Sequence, residues 1–234
     1  MHVGTYDELA IIPGNFTVPP SPNHPPKIPK KAMRVCRIYV SQRTTVYNGR
    51  LNWNIAKHLA RFEFSHPPTP SGGTPPAELS FKVFPAGTKD GDGALPFFSC
   101  TLTPFTMFPP VPVSTSWMPL DMTQVLPPVP AAVGHEEAVA AESEGKIDPY
   151  DLDPKKEASL LVGTDYWTAF PINAQSKARG CWVKVHELGK DPNEDIRAVE
   201  EASKYWPQGV QPWSIGAWMA DSVMQIDEPI EWKL

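Results

Sequence analysis

The chain has only three cysteines, Cys36, Cys100 and Cys181, far apart and odd in number. That excludes a disulfide framework and the paired spacing of a zinc site, and it points to a reducing compartment, read here as the cytoplasm. Long apolar runs are missing too, so no membrane-spanning segment is expected. Met1 to Glu8 lacks a basic region followed by an apolar run, and no signal peptide is read there. Basic tracts are scarce: none follows Lys27-Ile28-Pro29-Lys30-Lys31, and the net charge is −5. Nucleic acid is therefore not expected as a partner. A small neutral or anionic ligand remains compatible with an acidic protein, because a local cationic pocket can exist on one. Asn15-Phe16-Thr17 matches a glycosylation acceptor, but without a secretion signal the match is read as chance.

Several motifs that carry chemistry are also missing. There is no glycine-rich phosphate loop, no G-x-S-x-G elbow and no internal repeat. The six histidines, His2, His24, His58, His66, His135 and His186, form no H-x-x-x-H pair, so no metal site is expected. Asp90 and Asp92 lie in a turn but lack the glutamate that completes a calcium loop. Cys181 has no accompanying histidine signature, and His186-Glu187 reads as the polar end of a strand. No cofactor is called for.

What is present is proline and short β-branched or aromatic runs. The 29 prolines are about twice the usual share, which argues against a helical bundle. Strands are expected at Met33–Val40, Glu78–Phe84, Pro96–Phe105, Ser159–Ala169, Cys181–Leu188 and Trp213–Ile226. Asn48-Gly49 reads as a hairpin turn. Leu51, Trp53 and Ile55 alternate as a strand would, Ala56 to Ala60 reads as a helical turn or bend, and Phe62-Glu63-Phe64 resumes the alternation. Val18–Pro29 and Phe108–Pro130 read as proline-rich connectors or covers. One helix is expected over Asn193–Tyr205, after Pro192 and with acids in its first turn. Residues 131–157, with glutamates among alanines, read as a short exposed helix or a solvated, flexible insertion. The order of elements predicts one domain over 1–234, α+β and mainly antiparallel β, with few helices.

The segment Tyr47-Asn48-Gly49-Arg50-Leu51-Asn52-Trp53-Asn54-Ile55-Ala56-Lys57-His58-Leu59-Ala60-Arg61-Phe62 sets one lysine among apolar and aromatic residues. An amine attacks a carbonyl only while it is neutral. Burial, or a second cation close by, favours that form. The segment offers both: Trp53, Ile55, Leu59 and Phe62 for burial, and Arg50, His58 and Arg61 as cations. The competing reading is a lysine whose stem lies on an aromatic wall while its ammonium reaches water.

The run from Gly49 to Leu59 resembles the acetoacetate decarboxylase family pattern G-R-E-x-x-x-[YF]-P-K-K-L. It is most similar to the fungal branch, with its Y-N-G-R-x-N-W-N-I-P-K-H-L-A-R-F-E-F core. Tyr6-Asp7-Glu8-Leu9 with Ile11-Ile12-Pro13 looks like the family's Y-x-E stretch. The resemblance implies a cone-shaped, mainly antiparallel β-barrel in which Lys57 forms a Schiff base with a β-keto acid. Glu8 would orient the amine or shuttle a proton. Arg50 would hold a carboxylate or order a loop, and His58 and Trp53 would face the substrate. It implies a keto acid or hydrophobic ketone as partner, a possible homo-oligomer, and a role in fungal secondary metabolism. The imine would support decarboxylation, or else aldol, dehydration or cyclisation chemistry. The alternative is a non-catalytic protein that holds a small hydrophobic ligand in the same pocket, or one whose segment Pro104–Pro130 docks onto a partner.

The chain departs from the pattern in three places. Ala56 stands where the family has proline, and His58 stands where it has a second lysine. The family's strands ahead of Y-x-E have no counterpart before Tyr6.

Overall fold

A computed structural model describes residues 3–20, 25, 28–117, 121–142 and 147–234. Its strands, in chain order, are β1 (Glu8–Ile11), β2 (Asn15–Thr17), β3 (Lys31–Met33), β4 (Arg37–Val40), β5 (Lys57–Phe64), β6 (Leu79–Pro85), β7 (Phe98–Pro104), β8 (Val111–Ser114), β9 (Gln124–Leu126), β10 (Trp167–Phe170), β11 (Ile172–Val185), β12 (Ile215–Ile226) and β13 (Ile230–Trp232). The α-helices are α1 (Arg43–Trp53), α2 (His135–Glu142) and α3 (Ile196–Ser203), with a 3-10 helix over Pro154–Leu160. Strands dominate, which makes the chain α+β. No described helix is long and apolar enough to cross a membrane.

The contacts divide the chain into two compact units. The first comprises Met1–Ala60, Pro119–Asn173 and Gln225–Leu234, and the second Arg61–Met118 and Ala174–Met224. In the first unit β1 pairs antiparallel with β4, and β4 pairs parallel with the start of β5. A separate sheet runs β13-β10-β9-β3-β2, with the β3–β9 pairing parallel. Val18, Ile28, Ala32, Val125, Ala169 and Trp232 form a core against it. In the second unit β6 pairs antiparallel with β7, β7 with β11, and β8 joins β11 further along. Rings contact one another across this sheet from Phe64 to Phe81 to Phe98 and on to Trp206.

The strand readings at Glu78–Phe84, Pro96–Phe105 and Trp213–Ile226 coincide with β6, β7 and β12, and the expected helix with α3. Four expectations are corrected. Met33–Val40 is broken into β3 and β4. Ser159–Ala169 opens in the 3-10 helix, and only its end is strand.

The third correction matters most for the site. Asn48-Gly49 is not a hairpin turn, and Leu51 to Trp53 is not strand, because both lie within α1. The Gln42 side chain accepts from Thr45 N and starts the helix, and Asn54, in the left-handed region at φ 54°, stops it. Its buried residues are Arg43, Thr45, Val46, Gly49 and Arg50. These recur at helical spacing, but only Val46 is a large apolar residue. A search for apolar periodicity is blind to such a face. The turn expected at Ala56–Ala60 is likewise strand from Lys57 onward.

Residues 131–157 contain α2, and Glu142 at its end pairs with the buried Arg43. Ser159 donates to the same carboxylate, and His135 Nδ1 lies 2.8 Å from Ala158 O. Residues 143–146 of that stretch, and much of the connector Val18–Pro29, lie outside the described residues.

All three thiols are held up by burial, Cys100 to about 12 with Cys181 nearby as a lesser cause. Cys100 and Cys181 are buried and Cys36 is half-buried. Ellman's reagent at neutral pH should therefore react slowly and with Cys36 first, whereas all three thiols should react promptly in urea. Fast native reaction at Cys181 would revive a reactive-thiol reading.

Candidate functional site

Strand register brings Lys57 and Glu8 together. Across β1, β4 and β5 the rows run Glu8, Val40, Leu59 and Ala10, Ile38, Lys57. Side chains two apart on a strand share a face, so Glu8, Ala10, Lys57 and Leu59 all lie on one side of this sheet. The two segments are 49 residues apart in sequence, yet Lys57 Nζ donates to Glu8 Oε2 at 2.8 Å. The approach from β1 is held by Asp7 N to Ser41 Oγ at 2.8 Å, by Ser41 N to Asp7 O at 3.1 Å, and by Tyr150 OH to Thr5 O at 3.0 Å.

Helix α1 covers the same face. Thr45 Oγ1 accepts a second bond from Lys57 Nζ at 2.9 Å. One turn later Gly49 leaves room for the lysine stem: a Cβ there would lie 2.8 Å from Lys57 Cδ and 2.9 Å from Cε. Lys57 is 6% exposed. The Tyr6 ring lies 5.5 Å from its Nζ, and Tyr6 and the Glu8 side chain are partly open to solvent. The amine is thus enclosed along its stem and approached past Tyr6 and Glu8. The sequence alone does not single out Thr45 and Gly49. Their i, i+4 spacing marks one helix face, but only once the segment is read as helix.

His58 follows Lys57 on β5 and so points to the opposite face. There it lies 3.4 Å from Glu157 Oε1 and 6.2 Å, ring to ring, from Tyr39. The same Glu157 oxygen accepts from Leu59 N at 2.8 Å. His58 is therefore not placed as a cation beside the amine, because strand alternation separates neighbours that a helical turn would have kept closer.

Arg50 is buried and donates from Nε to Val162 O at 3.0 Å and from Nη2 to Pro130 O at 2.5 Å. Burial lowers its guanidinium from the ordinary value, and the charge of Glu157 opposes that shift. Of the two roles expected for it, the geometry provides loop ordering. Trp53, at the end of α1, donates to Asp227 O at 3.4 Å and lines a separate cavity that does not include Lys57 or Glu8.

No family model, curated protein or solved structure matches this chain. The chemistry open to it is then what these side chains can do. A buried primary amine beside a carboxylate can exchange a proton with it, and the neutral amine can add to a carbonyl. Among the described residues no three His, Cys, Asp or Glu side chains converge as a metal site.

Proposed function

We propose that the protein is a Schiff-base lysine enzyme acting on a keto acid or a keto-bearing intermediate, with Lys57 as nucleophile and Glu8 as its proton partner. The observation that carries this reading is the buried Lys57 amine held 2.8 Å from the Glu8 carboxylate. An ammonium is not a nucleophile, and Glu8 is the carboxylate in position to take its proton. The neutral amine then adds to the keto carbon, and the carbinolamine loses water to give a protonated imine. In a β-keto acid the bond to the carboxylate breaks, carbon dioxide leaves, and the electron pair moves to the imine nitrogen. The enamine is protonated at carbon and hydrolysed, which frees the ketone and Lys57. Thr45 holds the amine, Gly49 leaves room for its stem, and Arg50 acts at a distance by fixing the loops at Pro130 and Val162.

The resemblance of the lysine segment to acetoacetate decarboxylases supports this chemistry and would bring with it the cone-shaped barrel, an oligomer and a cytoplasmic role in fungal secondary metabolism. Acetoacetate decarboxylase is itself a familiar example of a lysine activated by its surroundings, so the activation rationale is shared with that family rather than independent of it.

Pentane-2,4-dione tests the proposal. A lysine that forms imines converts this diketone into a conjugated enaminone with a new near-ultraviolet band. The band should appear with wild-type protein and be absent in Lys57→Met. In Glu8→Gln it should form on the order of 100-fold more slowly, a loss in the range that one proton-transfer group contributes. Equal bands in wild type and Lys57→Met would overturn the assignment. No band in folded wild type would leave Lys57 and Glu8 as a structural ion pair.

A further inference from the structure

The first unit contains a cavity of about 640 Å³ at the C-terminal end of α1. Trp53 and Tyr166 wall it, Glu228 and Glu231 line it, and Leu51 and Asn52 lie on the helix side. None of its lining residues is basic. Among the described residues neither glutamate forms an ion pair, and the nearby Lys233 is taken by Asp165 at 2.5 Å. We propose that this cavity is a binding site for a small alkylammonium ion, held between the rings of Trp53 and Tyr166 and the carboxylates of Glu228 and Glu231.

Three features select that charge and that chemistry. The first is the pair of carboxylates, which repels anions. A neutral apolar guest would have to strip water from them with nothing returned. The second is the two rings, whose faces attract a cation and favour one with a diffuse, weakly hydrated charge. The third is that no basic side chain lines the cavity, so nothing in its wall neutralises the two carboxylates. The same negative field acts on Tyr166, whose phenol is pushed up first by burial and then by the charges of Glu231 and Asp165. A hard divalent ion fits less well, because it needs about six oxygen ligands and two side chains supply too few.

This site stands apart from imine chemistry, because Lys57 and Glu8 are not part of the cavity.

Calorimetric titration with choline tests it, with 3,3-dimethylbutan-1-ol as the neutral molecule of the same shape. At low salt choline should give saturable binding, and the neutral alcohol should bind at least about tenfold more weakly. The double variant Glu228→Gln/Glu231→Gln should lose roughly tenfold in choline affinity, and Trp53→Leu a similar factor. Both glutamates are exposed residues, so folding should be retained, and circular dichroism checks this. Lys57→Met should bind choline as wild type does. Equal affinity for choline and the alcohol, no saturable choline binding by the folded protein, or undiminished binding by the double glutamine variant would each overturn the proposal.

Discussion

Gly49→Ala should leave the protein folded and nearly abolish imine formation. The two effects separate for a physical reason. Alanine is favoured over glycine inside a helix by about 1 kcal/mol, which supports α1. The new methyl group, however, would sit 2.8 Å from Lys57 Cδ and 2.9 Å from Cε. Those atoms belong to a flexible side chain, so the lysine yields and the helix does not. Moving the amine by about 1 Å from Glu8 and Thr45 should cost on the order of 100-fold in the rate of enaminone formation. Urea unfolding should show a midpoint close to that of wild type. A variant that reacts at the wild-type rate would mean that the amine works from somewhere other than the position between Glu8 and Thr45.

Arg50→Met should have the opposite profile. It removes the donors that satisfy Val162 O and Pro130 O, and both bonds come from a charged group in a buried setting. Such bonds contribute roughly 1.5–3 kcal/mol each, so a loss of about 3 kcal/mol or more is expected in urea unfolding followed by circular dichroism. The protein that remains folded should react with the diketone at a concentration dependence close to wild type, since Arg50 holds the main chain. Unchanged stability together with a raised half-saturation concentration would instead place the guanidinium on the ligand.

These two residues also show how far the sequence is legible. Lys57 stands out because one cationic side chain lies in an apolar segment, and Glu8 because it sits in a short motif two residues from an aromatic. Arg50 is visible as a candidate in the same segment, but its two carbonyl partners lie 80 and 112 residues away, and no local pattern encodes them. Gly49 misleads because Asn-Gly is a strong turn signal, and the helix that contains it buries Arg43, Thr45 and Arg50 rather than a stripe of leucines. With the end of α1 read as turn and strand, Thr45 cannot be placed over Lys57. The same misreading extends to His58, which a bend would leave beside the amine and which β5 turns away. The strands of the second unit are easier, since β6, β7 and β12 announce themselves by alternation or by β-branched and aromatic content.

The most direct measurement is reduction with borohydride in the presence of acetoacetate, followed by peptide mapping. An imine at Lys57 would be fixed as a secondary amine, carrying the mass of the reduced ketone adduct on the peptide that contains residue 57. The expected result is that single modified lysine in wild type, strongly reduced in Gly49→Ala and absent in Lys57→Met. Folded wild-type protein that stays unlabelled at Lys57, or carries label equally on exposed lysines, would contradict the account.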